Sequence, residues 1–120
     1  MNPLEIEFLG TGTSQGVPVI GCDCEICQSK NLKNKRLRSS VLIKSGNSSV
    51  VIDCGPDFRQ QMLRSKCQRL NAVVLTHEHM DHIAGLDDVR PFNFKTKLDM
   101  PVYCTKRVEN RLKEQFSYAF

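Results

Sequence analysis

All three histidines of the chain lie in segment 76–82, THEHMDH, which directly follows an apolar run typical of a buried strand. Side chains two residues apart in an extended segment point the same way, so His77 and His79 can bind one metal ion together. Asp81 and His82 follow where a helix is predicted to begin, and they can bind a second ion. Imidazole and carboxylate are suitable ligands for zinc, manganese or iron. The sequence therefore predicts a site for two such ions.

Three of the six cysteines are also clustered, at Cys22, Cys24 and Cys27. Thiolates at this spacing can surround one tetrahedral zinc ion, with a fourth ligand from a distant residue. A bound ion would also offset the entropy that is lost when a long loop poor in apolar residues becomes ordered. Two alternatives stay open: three free thiols, or disulfides, which the lack of a secretory signal disfavours.

The composition, with 40% hydrophobic and 25% charged residues, is that of an ordinary globular domain. Neither a membrane-spanning run nor a signal peptide is visible, so we expect a cytoplasmic protein with no membrane contact. The net charge of +4 is concentrated in one loop, either solvated or attractive to anionic substrates. Few aromatics are interleaved there, so nucleic acid is not the favoured ligand. The basic residues of the loop are Lys30, Lys33, Lys35, Arg36 and Arg38.

Apolar periodicity predicts a series of strands, with helices between them that become frequent in the second half of the chain. Leu4, Ile6 and Phe8 alternate with glutamates, as in a half-buried strand. Gly46 lies at the turn of a predicted hairpin. Thr105 is a suitable N-cap for a final helix with apolar residues at helical spacing. The order indicates a layered α/β or α+β fold. The predicted strands span residues 4–8, 40–44, 49–53, 72–76 and 102–104.

The HxHxDH pattern of residues 77–82, after a hydrophobic strand, resembles the ligand motif of the metallo-β-lactamase superfamily. Segment 52–55, IDCG, is similar to an earlier strand-end aspartate of that family. The resemblance implies an α/β fold, an αββα sandwich whose metal ions lie at one edge of two facing sheets. It implies that Asp53 orients the site through hydrogen bonds without binding metal. We assign the catalytic role to Asp81, as one of the metal ligands.

Two further segments narrow the resemblance: 10–18, GTGTSQGVP, and 21–27, GCDCEIC. They are similar to a branch that includes the phosphoribosyl cyclic phosphate phosphodiesterase of phosphonate breakdown. A protein that helps make or export pyrroloquinoline quinone is a related relative. In this branch the cysteines hold a structural zinc ion, which assigns Cys22, Cys24 and Cys27 to such an ion. The glycines of 10–16 fit a tight turn, and their spacing does not fit a nucleotide-binding loop.

The chain departs from the family pattern because no histidine follows His82 and no later aspartate lies in a family ligand context. Residues 1–120 are therefore expected to be the N-terminal half of such a domain, truncated and inactive on its own. Half a sandwich would expose an apolar sheet face, and such faces normally bind a partner. We expect a homodimer or a partner-dependent protein.

The resemblance implies a metal-dependent hydrolase, a phosphodiesterase that acts on cyclic or other small phosphodiesters. Its reaction would be attack on phosphorus by a hydroxide shared between two metal ions. Two other classes stay open. One is another hydrolase of the superfamily, such as a tRNA-processing nuclease or a thioester hydrolase. The other is a non-catalytic metal-binding protein.

Overall fold

The computed structural model describes all residues from Met1 to Phe120, and its centre is one five-stranded sheet. The strands are β1 (Leu4–Gly10), β2 (Ser40–Ser45), β3 (Ser48–Ile52), β4 (Ala72–Val74) and β5 (Val102–Tyr103). The helices are α1 (Glu25–Gln28), α2 (Phe58–Ser65), α3 (Met80–Ile83), α4 (Arg90–Thr96) and α5 (Lys106–Gln115). Single turns of 3-10 helix lie at Leu32–Asn34, Leu86–Val89 and Ser117–Ala119. None of these helices has the length and apolar content needed to cross a bilayer.

The strands lie in the sheet in the same order as in the sequence. β1, β2 and β3 are antiparallel neighbours, whereas β3, β4 and β5 are parallel. The predicted hairpin between β2 and β3 is confirmed, and its turn holds Gly46 at φ 56°, a left-handed conformation that glycine adopts without strain. α2 supplies the crossover that the parallel pair β3 and β4 requires. The carboxyl ends of these two strands therefore reach the same edge of the sheet.

One face of the sheet is covered by the helices. Leu42, Val51 and Val73 are neighbours across three adjacent strands, and all three are fully buried. Their burial against the helices removes apolar surface from water, which is the main driving force for this layer. Thr105 accepts a hydrogen bond from the amide of Val108, which confirms it as the N-cap of α5. The helical members of the same core cluster include Phe58, Met62, Ile83, Val108 and Leu112.

The opposite face of the sheet is apolar and open. Cross-strand pairing aligns one row of side chains through all five strands: Phe8, Val41, Ile52, Val74 and Tyr103. The two outer members are 69% and 61% exposed, and the three inner members are half-buried. A sheet covered by helices on one side only agrees with the expected half of a sandwich. An open apolar row of this extent is typical of a surface that contacts another layer.

The alternation in β1 is confirmed, but the interpretation that Leu4, Ile6 and Phe8 are its half-buried side chains is wrong. These side chains are 66%, 55% and 69% exposed, whereas Leu9 is fully buried. The physical reason is that the helices cover the other face of the sheet. The alternation of a strand reveals two faces, but it does not reveal which one a later element will cover.

We propose that the open face associates with a second copy of the chain. Phe8→Glu is expected to shift the chain from dimer to monomer in analytical ultracentrifugation, because a charge in an apolar contact is costly to desolvate. Leu63→Glu is the matched control, since Leu63 is 62% exposed on α2, on the helical side. A wild-type chain that sediments as a monomer would contradict the proposal.

Candidate metal centre

Asp53 lies directly after β3, and the histidine segment is arranged around it. Its side chain is 7% exposed, and its backbone has φ 63°, in the left-handed region. This conformation costs a residue other than glycine about 1–3 kcal/mol. The Asp53 amide donates a hydrogen bond to the carbonyl of Val74 at 2.9 Å, which links the ends of β3 and β4. A buried carboxylate in such a conformation must be held by its surroundings.

Three hydrogen bonds hold the Asp53 carboxylate. The amide of Thr76 donates to Oδ1 at 2.8 Å, and the hydroxyl of Thr76 donates to Oδ2 at 2.7 Å. Nδ1 of His82 lies 2.6 Å from the same Oδ2. Because a carboxylate accepts and an imidazole must donate to it, the proton on Nδ1 of His82 is fixed by this contact.

The second nitrogen of His82 is thereby left to face Asp81. Nε2 of His82 lies 3.0 Å from Oδ2 of Asp81. Two electron-rich atoms at this distance need a proton or a cation between them. Two ligand atoms that are each about 2.1 Å from one metal ion, roughly at right angles, are about 3 Å apart. The pair Asp81 and His82 therefore fits a divalent metal ion.

Thr76 fixes the ring of His77 in a similar way. Its hydroxyl already donates to Asp53, so it can only accept from Nδ1 of His77, which lies 3.0 Å away. Nε2 of His77 then keeps a free lone pair. The rings of His77 and His79 are 4.6 Å apart, and those of His77 and His82 are 4.1 Å apart. The structure thus brings together the three imidazoles that the sequence predicts as ligands.

The sequence assigns no role to Thr76. A hydroxyl residue directly before a ligand histidine was the signal that could have indicated one, since such a side chain can orient the adjacent ring.

Residues 53–55 are interlocked with the histidine segment. The amide of Cys54 donates to the carbonyl of His82, and the amide of Gly85 donates to the carbonyl of Cys54, both at 2.9 Å. A Cβ atom at Gly55 would overlap the carbonyl oxygen of Asp81, so only glycine fits there. Burial, together with the adjacent Asp53, raises the pKa of the Cys54 thiol to about 12. Cys54 is therefore a packing residue.

The three clustered cysteines also converge. Their Sγ atoms lie within 4.8 Å of one another, and no fourth acidic, histidine or cysteine side chain joins the group. The amide of Cys27 donates to Cys24 Sγ at 3.4 Å, and the amide of Val19 donates to Cys27 Sγ at 3.4 Å. The hydrogen bond from Cys27, with a further contribution from Cys22, lowers the pKa of Cys24 to about 7. A triangle of sulfurs in which the Cys24 thiolate is stabilised fits zinc.

In the basic loop, the two arginines form side-chain contacts, whereas the three lysines do not. Arg36 donates to the Thr11 hydroxyl at 2.8 Å. Arg38 pairs with Asp57 at 3.1 Å and donates to the carbonyl of Ser14 at 2.6 Å. These two arginines therefore fix the glycine-rich turn against the start of α2. The three lysines, Lys30, Lys33 and Lys35, are exposed, and their side chains form neither an ion pair nor a hydrogen bond.

Glu78, between the first two histidines, is turned toward α5. One oxygen of its carboxylate accepts hydrogen bonds from Nε and Nη2 of Arg107 at 2.7 and 2.6 Å. The Glu78 side chain is 17% exposed. A hydrogen bond from its own amide, together with Arg107, holds the pKa of Glu78 below its usual range. No local sequence signal indicates this pairing, since the partners are distant along the chain.

A sequence profile of the family described as "Beta-lactamase superfamily domain" matches residues 48–120, which include Asp53 and the whole histidine segment. A solved structure described as a new diphosphatase from the PhnP family superposes with a TM-score of 0.92 at 44% identity. The superposition covers 98% of this chain and 49% of that chain. The chain therefore spans about half the length of this solved relative.

An octanoyltransferase of Porphyromonas gingivalis is 44% identical over 114 residues, which are 94% of this chain and 23% of that protein. The structure of Zn²⁺-bound PqqB from Methylobacterium extorquens superposes with a TM-score of 0.76 at 24% identity, over 91% of this chain and 40% of that chain. At this identity the similarity to PqqB indicates a common fold only.

Thr76→Val is expected to weaken Mn²⁺ binding by roughly tenfold, because it removes the hydroxyl that orients His77. Thr76→Ser keeps the hydroxyl and is expected to bind Mn²⁺ as the wild type does. Titration followed by the electron paramagnetic resonance of free Mn²⁺ measures both affinities. Loss of affinity in Thr76→Ser with wild-type affinity in Thr76→Val would show that the methyl group of Thr76, and not its hydroxyl, is what matters.

Proposed function

The chain belongs to the β-lactamase superfamily domain family, and from this membership and the geometry around Asp53 we propose that it supplies metal ligands to a hydrolase site. His77 and His79 would hold one divalent ion, and Asp81 and His82 a second. Zinc, manganese and iron all suit this donor set. Bound ions of this kind polarise phosphoryl oxygens and lower the pKa of water, which is the chemistry of metal-assisted phosphoester hydrolysis.

The observation that carries the proposal is the series of contacts that runs from Asp53 through His82 to Asp81. Asp53 fixes the proton on one imidazole nitrogen, so the other nitrogen and the Asp81 carboxylate present two donors 3.0 Å apart.

The side chains around the site have distinct roles in this proposal. Asp81 is assigned as catalytic because its carboxylate, beside His82, would hold the metal ion that supplies the hydrolytic chemistry. Asp53 and Thr76 act through the histidines, since their hydrogen bonds fix which ring nitrogen is free. The same bonds keep the rings from reorienting when substrate binds, so the ligand positions do not have to be reorganised during the reaction.

For the substrate, we propose a cyclic or other small phosphodiester. The 44% identity to a diphosphatase supports chemistry at phosphorus and favours a phosphoric anhydride as the second candidate. The exposed lysines of the basic loop, Lys30, Lys33 and Lys35, are a feature that would attract either anion. The octanoyltransferase is matched over 23% of its length, so its name is a poor guide to the matched segment. A tRNA-processing nuclease, a thioester hydrolase and a non-catalytic metal-binding protein are the remaining alternatives.

We propose that the activity requires further metal ligands that this chain alone does not supply. The two pairs of ligands leave further coordination positions to be filled, and the chain spans about half of its solved relative. A second layer on the open sheet face would lie beside the carboxyl ends of β3 and β4, where the ligands are. The chain alone is therefore expected to bind metal but to turn over little substrate. A cytoplasmic location remains part of the proposal.

We also propose that Cys22, Cys24 and Cys27 hold one structural zinc ion. None of residues 17–39 is buried, and Ile20 and Leu32 are 98% and 82% exposed. An ordered loop without a core needs another source of stability, and metal binding can provide it. The lowered pKa of Cys24, caused mainly by the Cys27 amide, is consistent with a thiolate ligand.

In the full-length protein, Asp81→Asn is expected to lower kcat for bis(p-nitrophenyl) phosphate by roughly a hundredfold or more. The physical reason is that a metal ion contributes several kcal/mol to transition-state stabilisation. Asp99→Asn, at an exposed aspartate outside the site, is the control and should leave kcat unchanged. Full metal occupancy without turnover of any phosphodiester would rule out the proposed substrate class.

Cys24→Ser is expected to lower the zinc content of the purified chain by one equivalent, as measured by inductively coupled plasma mass spectrometry. Cys67→Ser, outside the cluster, should leave the zinc content unchanged. The loop of the Cys24→Ser variant should also be cut faster by protease, because its ordering depends on the ion. Equal zinc content in all three proteins would show that the cysteines hold no metal.

A further inference from the structure

Glu78 and Arg107 form an ion pair that joins the histidine segment to α5. Arg107 lies in the first turn of α5, next to Val108, which is 1% exposed in the core. Burial of Val108 fixes the backbone of Arg107. The ion pair then connects this fixed point to the residue between the ligands His77 and His79.

The segment that holds these ligands has few other restraints. The amides of residues 77–79 donate no hydrogen bond to a backbone carbonyl, and the ring of His79 has no hydrogen-bond partner of its own. His77 is restrained through Thr76, which precedes it. After His77, the Glu78 carboxylate is the side chain that ties the segment to a rigid element. The His79 carbonyl accepts a hydrogen bond from the His82 amide at 2.9 Å, which restrains the C-terminal side of His79. On its N-terminal side, the position of His79 depends on where Glu78 is held.

We propose that Arg107 is a positioning residue that holds the His77–His79 pair in its metal-binding arrangement through Glu78. The inference rests on the proposed function, since it concerns the ion that those two histidines would bind. Two of the three guanidinium nitrogens, Nε and Nη2, contact the same carboxylate oxygen, at 2.7 and 2.6 Å, so the pair restricts direction as well as distance. A lysine at position 107 would keep the charge but lose this directional contact.

The ion pair contributes little to global stability. The Arg107 side chain is 82% exposed, and exposed ion pairs are weak because water screens them. Its removal should therefore leave the melting temperature of the metal-free protein nearly unchanged. A role in positioning the ligands would instead appear in metal affinity, where outer partners of metal ligands typically have large effects. These two measurements separate a positioning role from a merely structural one.

The test is Mn²⁺ affinity of the natural full-length protein, measured by the electron paramagnetic resonance of free Mn²⁺. Manganese prefers carboxylate and imidazole to thiolate, so the cysteine cluster should not contribute. Arg107→Ala is expected to weaken binding by roughly tenfold and Arg107→Lys by less. Arg111→Ala breaks the Arg111–Glu114 pair on the same helix and is the matched control, with unchanged affinity expected.

Three further variants distinguish a positioning role of the ion pair from the alternatives. Glu78→Gln removes the charge at nearly constant size and is expected to weaken Mn²⁺ binding. It tests the ion pair independently if Arg107→Ala folds poorly. The double exchange of Glu78→Arg and Arg107→Glu should recover part of the affinity. If Asp53→Asn weakens binding while Arg107→Ala and Glu78→Gln bind as the wild type does, the inference is wrong and the proposed function stands. If the wild type binds no Mn²⁺ or Zn²⁺ at the histidine site, both are wrong.

Discussion

The carboxylate of Asp53 is the interaction on which the rest of the site depends. It is buried, it has a strained backbone, and it accepts three hydrogen bonds from Thr76 and His82. The strain costs about 1–3 kcal/mol. Hydrogen bonds to a charged group contribute about 1.5–3 kcal/mol each, so three of them outweigh that cost. The strained turn is stable only while the histidine segment is folded against it, and the segment is ordered only while the turn is present.

The topology of the sheet brings these two mutually dependent segments together. β3 and β4 are parallel neighbours, so Asp53 and Thr76 emerge at the same edge. The crossover through α2 makes this arrangement, and Gly55 lets the backbone of Asp81 approach the turn closely. The helices on one side of the sheet fix these positions. The open side leaves the same edge free for a second layer.

Much of the site follows from the sequence because its determinants are local. The HxHxDH spacing after an apolar strand predicts that the three histidines and Asp81 lie together, and the CxCxxC spacing predicts the sulfur triangle, without knowledge of the fold. The hairpin at Gly46 and the cap at Thr105 are likewise local signals. The buried face of β1 could not be predicted, because alternation separates the two faces of a strand without indicating which one is covered. The contact of Arg107 with Glu78 could not be predicted, since it depends on how α5 packs against the sheet.

The order of the strands in the sheet has a consequence for how the chain is made. Each strand pairs with the one synthesised just before it, so no strand has to wait for a later one before it can pair. The sheet can therefore grow from β1 to β5 in the direction of translation. During that growth the row from Phe8 to Tyr103 lengthens by one apolar side chain with each strand. Until a second layer covers it, this widening apolar surface makes the growing chain prone to aggregation.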